Sequence, residues 1–297
     1  MKVLVTGSSG QLGSYICELM AGGREVSGLD IAPSPHASTR GLTVLGDIRN
    51  AADATRAVRG VDAVVHCAAQ VSVERSTEDP VGDAETNVLG TVNMLNASAR
   101  SGVRRFVYVS SAAVYGNPRS VPIREDHPTE PMSNYGASKL AGERFTLAFG
   151  HTTQMEVVAM RPFNFYSPRA DPESPYSGVI TKFVERVRNG RPPRIEGDGL
   201  QTRDFIHARD VAAMAAALVD AEGVSGKVFN CGSGRSTSVL ELAKVTIAAS
   251  GRHFEPEFTA PRKGDIRHSL ADVSLAKEVL GFSARIPLSE GMAELLS

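Results

Sequence analysis

The chain is poor in cysteine, in net charge and in long apolar runs, and each shortage closes off a class of function. Its 297 residues include three cysteines, Cys17, Cys67 and Cys231, far apart and without metal or redox spacing. That pattern predicts reduced buried thiols, no disulfide framework and no metal site, and it suits the cytosol. The 32 basic and 33 acidic residues leave a formal net charge of −1 with no basic block. Neither nucleic acid nor an anionic membrane is therefore an expected partner, and an anionic ligand has to be held by local arginines. The N-terminal apolar run lasts only a few residues, and the longest later one, at 211–219, is too short to span a bilayer. No signal or membrane segment is expected, and a cytoplasmic location follows. Repeats and low-complexity tracts are absent, and the methionines and aromatics are scattered, unlike a flavin or nucleobase cage.

What remains is a regular alternation. Residues 2–6, 25–29, 43–45, 63–66, 105–110 and 156–160 read as strands with helical periods between them. That rhythm predicts an α/β fold with a parallel sheet and right-handed crossovers. From Pro162 to Pro175 prolines and turn formers dominate, so the chain is expected to leave the sheet there. The helix-like 208–220 and the short strand 228–230 then return to it. The expected division is a nucleotide domain over 1–165, rejoined by about 204–232, and a smaller C-terminal substrate-binding lobe from 166–203 and 233–297.

Strand 2–6 runs straight into Gly7-Ser8-Ser9-Gly10-Gln11-Leu12-Gly13, and 11–21 continues as a helix. A strand, a glycine-rich turn and a helix start present backbone N–H groups and a positive helix end to a pyrophosphate. Strand 25–29 ends in Asp30, about twenty residues downstream, where an acid accepts hydrogen bonds from an adenosine ribose. Such an acid repels a 2′-phosphate, so NAD is favoured over NADP. These features predict a Rossmann-type doubly wound sheet.

Two further motifs concern chemistry. Tyr135 and Lys139 are four residues apart, on one face of an expected helix. A free tyrosine ionises near pH 10, so a neighbouring ammonium is expected to help the phenol act as a general base. Ser110 and Ser111 close strand 105–110, at the carboxyl edge where open parallel sheets bind ligands. His66 and His207 lack partner patterns and read as structural, and Asp210 reads as a helix N-cap.

Together, Gly7-x-x-Gly10-x-x-Gly13, Ser111 and Tyr135-x-x-x-Lys139 resemble the extended short-chain dehydrogenase/reductases. Within them the chain is most similar to the NAD-dependent nucleotide-sugar epimerases, the UDP-glucose 4-epimerases in particular. The likeness extends over nearly the whole chain, because Arg161-Pro162-Phe163-Asn164, 197–204 and Arg262-Lys263-Gly264-Asp265 fall in the family's order. The resemblance implies Ser111, Tyr135 and Lys139 as the catalytic set. It implies a cofactor site of Gly7, Gly10, Gln11, Leu12, Gly13 and Asp30, with Asp47 and Ile48 flanking the adenine. Ala68, Ala69 and Asn87 would lie toward the nicotinamide, and Tyr135 and Lys139 would also touch the cofactor. Ser111, Asn164, Arg203, Arg262 and Ser269 are the implied sugar-nucleotide contacts, and Asp204 or Asp265 would otherwise hold the two arginines in surface salt bridges. Guanidinium forks suit the roughly two negative charges of a sugar diphosphate.

The implied activity is inversion at C4 of a UDP-sugar, UDP-glucose or UDP-galactose, through a 4-keto intermediate. The 4,6-dehydratases and decarboxylating relatives carry acidic residues just after the catalytic hydroxyl, whereas Ala112 and Ala113 stand here. Uronate epimerases tend to have Thr at Asn164, so a neutral sugar is expected. Small Ser269 replaces the bulky gate that excludes 2-acetamido sugars, so UDP-GlcNAc and UDP-GalNAc are expected as well. Val71 stands where some epimerases have a cofactor-contacting Lys, and Ser167 where Gly is usual. The alternatives are a 4-keto reductase, a uronate 4-epimerase or a non-catalytic NAD-sensing protein. A homodimer is expected through helices near 91–100 and 135–149.

Overall fold

The computed structural model describes residues 1–170, 178–262 and 264–297; residues 171–175 of the proline-rich exit and Lys263 of the last motif lie outside it. Six strands come first: β1 (Lys2–Thr6), β2 (Glu25–Asp30), β3 (Thr43–Leu45), β4 (Ala63–His66), β5 (Arg105–Val109) and β6 (Glu156–Pro162). Four short ones follow, β7 (Asn164–Tyr166), β8 (Arg194–Glu196), β9 (Thr202–Arg203) and β10 (Phe205–His207). Then come β11 (Val228–Cys231), β12 (Thr237–Ser238) and β13 (Glu257–Thr259). The main sheet runs β11-β6-β5-β4-β1-β2-β3, and every neighbouring pair in it is parallel. The order reverses between β1 and β4, and that switch point opens a crevice at the carboxyl edge.

Burial on both faces explains the near-continuous apolar strands. Val3 and Val5 point to one core with Ile16, Met214 and Leu218, while Leu4 points to the other with Met94, Phe106 and Tyr108. Period-two alternation along β1 thus feeds both layers. The first layer holds α1 (Gln11–Ala21); the second holds α2 (Ala51–Ala57), and further on come α3 (Val73–Glu78), α4 (Pro80–Ala84), α5 (Thr91–Arg100) and α6 (Asn134–Thr152). The remaining helices are α7 (Val179–Arg188), α8 (Ala208–Asp220), α9 (Val239–Ala249), α10 (Ser274–Leu280) and α11 (Leu288–Leu296). Helix α8 shares the first core with α1, and α7, α9 and α11 build a separate small core around Phe183, Leu242 and Met292.

Several details differ from the sequence reading. Strand β5 stops at Val109, although the Ser110 N–H still donates to Met160 O on β6 at 2.7 Å, while its side chain donates to Glu143. Strand β6 continues to Pro162, paired with β11 as far as Cys231. The N-cap of α8 is His207, whose ring accepts the Arg209 N–H at 3.1 Å; Asp210 sits in the first turn and accepts from Ile286 N–H at 3.0 Å. Ala276 and Phe282, expected with the lobe, pack on the main sheet. Helix α8 packs in the first core and β11 pairs with β6 in the main sheet, while Phe205 joins the small core. All three cysteines are free thiols, Cys17 and Cys231 buried and Cys67 half-buried. Among the described residues no helix is long and apolar enough to cross a membrane.

Candidate active site

The loop after β1 needs its glycines. Gly7 has a φ of 69°, and a Cβ there would lie 2.8 Å from the Ala68 backbone nitrogen, while one on Gly13 would lie 2.1 Å from the Gly7 carbonyl oxygen. The first lets the chain turn against the end of β4, and the second lets α1 start hard against the strand. Gly10 caps α1 with no side chain on the first-turn amides. The N–H groups around Gln11, Leu12 and Gly13 are therefore left for an anion. Asp30 accepts from the backbone N–H of Ser9 at 3.0 Å and of Ala32 at 3.2 Å, which fixes its carboxylate across the loop. This cradle fits a dinucleotide with its pyrophosphate on the loop and a ribose diol at Asp30.

The remaining cofactor positions divide into surface and frame. The Asp47 carboxylate is gripped by Arg49 at 2.6 Å, and that hydrogen bond holds it below the usual carboxylate range. Ile48 is buried in the core against Gly90. Ala68 and Ala69 follow β4, and the Ala68 N–H donates to Thr6 Oγ1 at 3.2 Å. Asn87 sits in a π turn, Glu85–Gly90, of a kind that recurs at functional sites. Its side-chain amide donates to Gln70 O at 2.9 Å, Asp83 at 3.1 Å and Ser138 at 3.0 Å, and its oxygen accepts the Gln70 N–H at 2.8 Å. It thus ties the chain after β4 to α6, as a frame and not as a free ligand.

Helix α6 carries the reactive pair. Ser133 caps it by accepting the Gly136 N–H, and the Tyr135 N–H donates to Ser76 Oγ at 3.0 Å, pinning the helix start to α3. Ser111 caps the short 3-10 turn Ala112–Tyr115 by accepting the Ala113 N–H, and its hydroxyl is near enough to the Tyr135 phenol to affect its ionisation. Burial raises that phenol above its usual value, the Ser111 hydrogen bond lowers it, and the Asp83 charge raises it further. Lys139 is 3% exposed, its ammonium 4.5 Å from the Tyr108 ring centroid, and burial drives its pKa down to about 8. Desolvation is the largest influence on both groups, raising the phenol and lowering the lysine. His66, buried and bonded to Thr6 and Thr91, is held neutral by burial, its pKa lowered to about 3, and serves the sheet.

The remaining residues implied for the sugar nucleotide come from β7, β9 and the chain after β13. Arg203 donates to Asp265 at 2.5 Å and to its neighbour's carbonyl at Thr202, and burial lowers its pKa. Ser269, half-buried, donates its N–H to Thr202 O at 3.1 Å, which sets it beside Arg203. Asn164 donates its side-chain amide to Asp204 O at 3.3 Å. Asp204 itself is buried on the amides of Ser233, Gly234 and Ala271 and does not pair with Arg203. Arg262 reaches across to Glu74 on α3, at 2.7 Å. Ser167 accepts from Gln11 Nε2 at 3.1 Å, joining the exit of β7 to the glycine loop.

Sequence reasoning missed the polar network behind the site. Glu143, fully buried, accepts Ser110 Oγ at 2.8 Å and is gripped by Arg161 at 2.6 and 2.9 Å. Arg161 also donates to Tyr115 Oη at 2.8 Å and Glu125 O at 3.1 Å, and Tyr115 Oη donates to Asn230 at 2.6 Å. The signal was an arginine inside an apolar strand, since a charge there demands a buried partner.

A glycine cradle with an acid on the next strand, beside a hydroxyl–phenol–ammonium cluster, makes this a nicotinamide-dependent enzyme on a Rossmann sheet. The chain belongs to the NAD dependent epimerase/dehydratase family, whose pattern matches residues 3–232. It is 39% identical to a UDP-glucose 4-epimerase of Mycolicibacterium smegmatis over 99% of this chain and 97% of that one. A crystal structure of UDP-glucose 4-epimerase from Thermotoga maritima with UDP-glucose superposes with a TM-score of 0.93 at 32% identity, covering 100% of this chain and 97% of that one. The UDP-N-acetylglucosamine 4-epimerase of Methanobrevibacter ruminantium, in complex with UDP-N-acetylmuramic acid, gives a TM-score of 0.93 at 28% identity, covering 99% and 96%.

Proposed function

We propose that this enzyme inverts the C4 hydroxyl of UDP-glucose and UDP-galactose, with Tyr135 as general base and acid. What supports this is the Ser111 hydroxyl beside the Tyr135 phenol, followed in the chain by Ala112 and Ala113 where an acid pair would be needed for elimination. Elimination or decarboxylation needs further proton-moving groups, and simple inversion does not. Tyr135 takes the proton from the C4 hydroxyl while Ser111 donates a hydrogen bond to the same oxygen. NAD, when bound, supplies the acceptor that takes the hydride and returns it, and a positive ring charge beside the phenol. Tyr135 returns its proton to the C4 oxygen after the 4-keto sugar has turned over, so configuration inverts with no net redox change.

Arg203 and Arg262 hold the diphosphate during that turn, and Asn164 contacts the sugar nucleotide. Small Ser269 beside Arg203 leaves room for a 2-acetamido group, so UDP-N-acetylglucosamine is a second substrate. The half-exposed Leu89 and Phe145, flanking α5 and on α6, support a homodimer through those helices, which size-exclusion chromatography tests. The cytoplasm is the proposed location, consistent with three free thiols.

Proton NMR of the purified protein with UDP-galactose and no added cofactor tests the reading. UDP-glucose anomeric signals should grow in. No conversion, even after NAD is added, removes this activity; conversion that consumes added reduced cofactor stoichiometrically points instead to a 4-keto reductase.

A further inference from the structure

Three elements must keep register for the catalytic set to exist: the end of β5 for Ser111, the first turns of α6 for Tyr135 and Lys139, and the end of β6 for Asn164. One buried group touches all three. Glu143 lies one helical turn beyond Lys139, accepts from Ser110, the residue before Ser111, and is clamped in two places by Arg161 on β6. Glu143 is 0% and Arg161 2% exposed, so neither charge is screened by water. Arg161 also stacks 4.7 Å over the Tyr115 ring, at the end of the turn that Ser111 caps.

We propose that Glu143 is a positioning residue of the active site: locked by Arg161 and Ser110, its carboxylate sets the placement of Ser111 and keeps Lys139 in its charged form. This rests on the roles given above to Ser111, Tyr135 and Lys139. The groups facing Lys139 are Tyr135 and Glu143 on its own helix, His66 and Cys67 at the end of β4, Asp83 at α4 and Tyr108 on β5. Burial lowers the ammonium; Cys67, Glu143 and Asp83 oppose that. Glu143 in turn faces Arg161, Tyr115 and Ser110. Arg161 holds Glu143 in place, one helical turn from Lys139, where the carboxylate opposes the lowering of the ammonium by burial.

The test is Glu143→Gln, which keeps the shape and removes the charge. Two readouts are compared with wild type: the Lys139 titration followed by carbon NMR of labelled lysines, assigned with Lys139→Arg, and the alkaline limb of kcat/KM. Both should move to lower pH by roughly half a unit to one unit. Turnover at neutral pH should fall roughly ten- to a hundredfold, the scale of a misplaced catalytic group, with KM little changed. Glu143→Asp, which restores the charge with a shorter reach, should return the titration toward wild type while turnover stays depressed. If Glu143→Gln does not fold, the doubly neutral Glu143→Gln/Arg161→Met is read for turnover, which should fall as far, since losing the Arg161 cation as well offsets the titration shift. A folded Glu143→Gln whose titration and limb stay at the wild-type positions, or a folded double variant with wild-type turnover, overturns the proposal. The NMR titration needs no substrate, so a wild type that converts no UDP-sugar defeats the proposed function and leaves this inference standing or falling separately.

Discussion

Two sets of arginine–carboxylate pairs serve this molecule in opposite ways. Arg161–Glu143 is sealed in the interior, where side-chain exposures are 2% and 0%. Arg262–Glu74, at 54% and 39%, stands in water, and Arg203–Asp265, at 16% and 34%, lies between these extremes. A buried pair cannot exchange partners, because either charge left alone is heavily penalised. A hydrated pair costs little to open. The buried pair is therefore fixed, and the more exposed pairs leave their arginines free to change partners, as the proposed diphosphate contact requires.

Breaking the buried pair should have the largest effect. Replacing Arg161 with Ala should lower unfolding free energy by about 3–5 kcal/mol, read from denaturant midpoints, and the doubly neutral variant should recover much of it. A loss under about 1 kcal/mol contradicts the assigned role.

Lys139 sharpens the contrast, as a buried cation retained for chemistry at a cost to stability. Its folded pKa of about 8 lies below the unfolded value of 10.5. The penalty is fully present below pH 8 and is relieved as pH rises through 8 toward 10.5. Lys139→Met should thus gain up to about 3 kcal/mol of stability at neutral pH while losing turnover. Equal stability of variant and wild type across neutral and alkaline pH would sink this.

The cleft pairs should behave differently. Arg203→Ala and Arg262→Ala should raise KM for UDP-galactose by roughly ten- to a hundredfold, with stability within about 1 kcal/mol of wild type. The smallest effect is expected at Glu74. Removing Arg262's competitor with Glu74→Gln should lower KM about two- to fivefold at low salt, and the gain should fade as salt screens the pair. A higher KM would mean that Glu74 orients Arg262 for the ligand.

The same contrast explains what could be read from sequence. The glycine loop, Asp30 and the Tyr135–Lys139 spacing were legible because local backbone geometry and short-range spacing demand them, and Ser111 was singled out by the family resemblance. The parallel sheet followed from the alternation of elements. The π turn under Asn87, and the bonds by which Asn87 joins it to α6, have no compositional signal. Glu143 was hidden because its two partners, Ser110 and Arg161, lie 33 and 18 residues away, joined only by the fold. Spacing also says nothing of desolvation, the largest influence on both the phenol and the lysine. Arg203 found Asp265, one of the two acids expected for it, whereas the partner of Arg262, Glu74, lies 188 residues away.

The central claim is that Tyr135 and Ser111 serve a reversible hydride removal at C4. UDP-glucose carrying deuterium at carbon 4, incubated with the enzyme in ordinary water, tests it most directly. Proton NMR and mass spectrometry of the UDP-galactose formed should show the deuterium retained at carbon 4. Product carrying solvent hydrogen there would mean that the carbon had been deprotonated, and the assigned mechanism would be wrong.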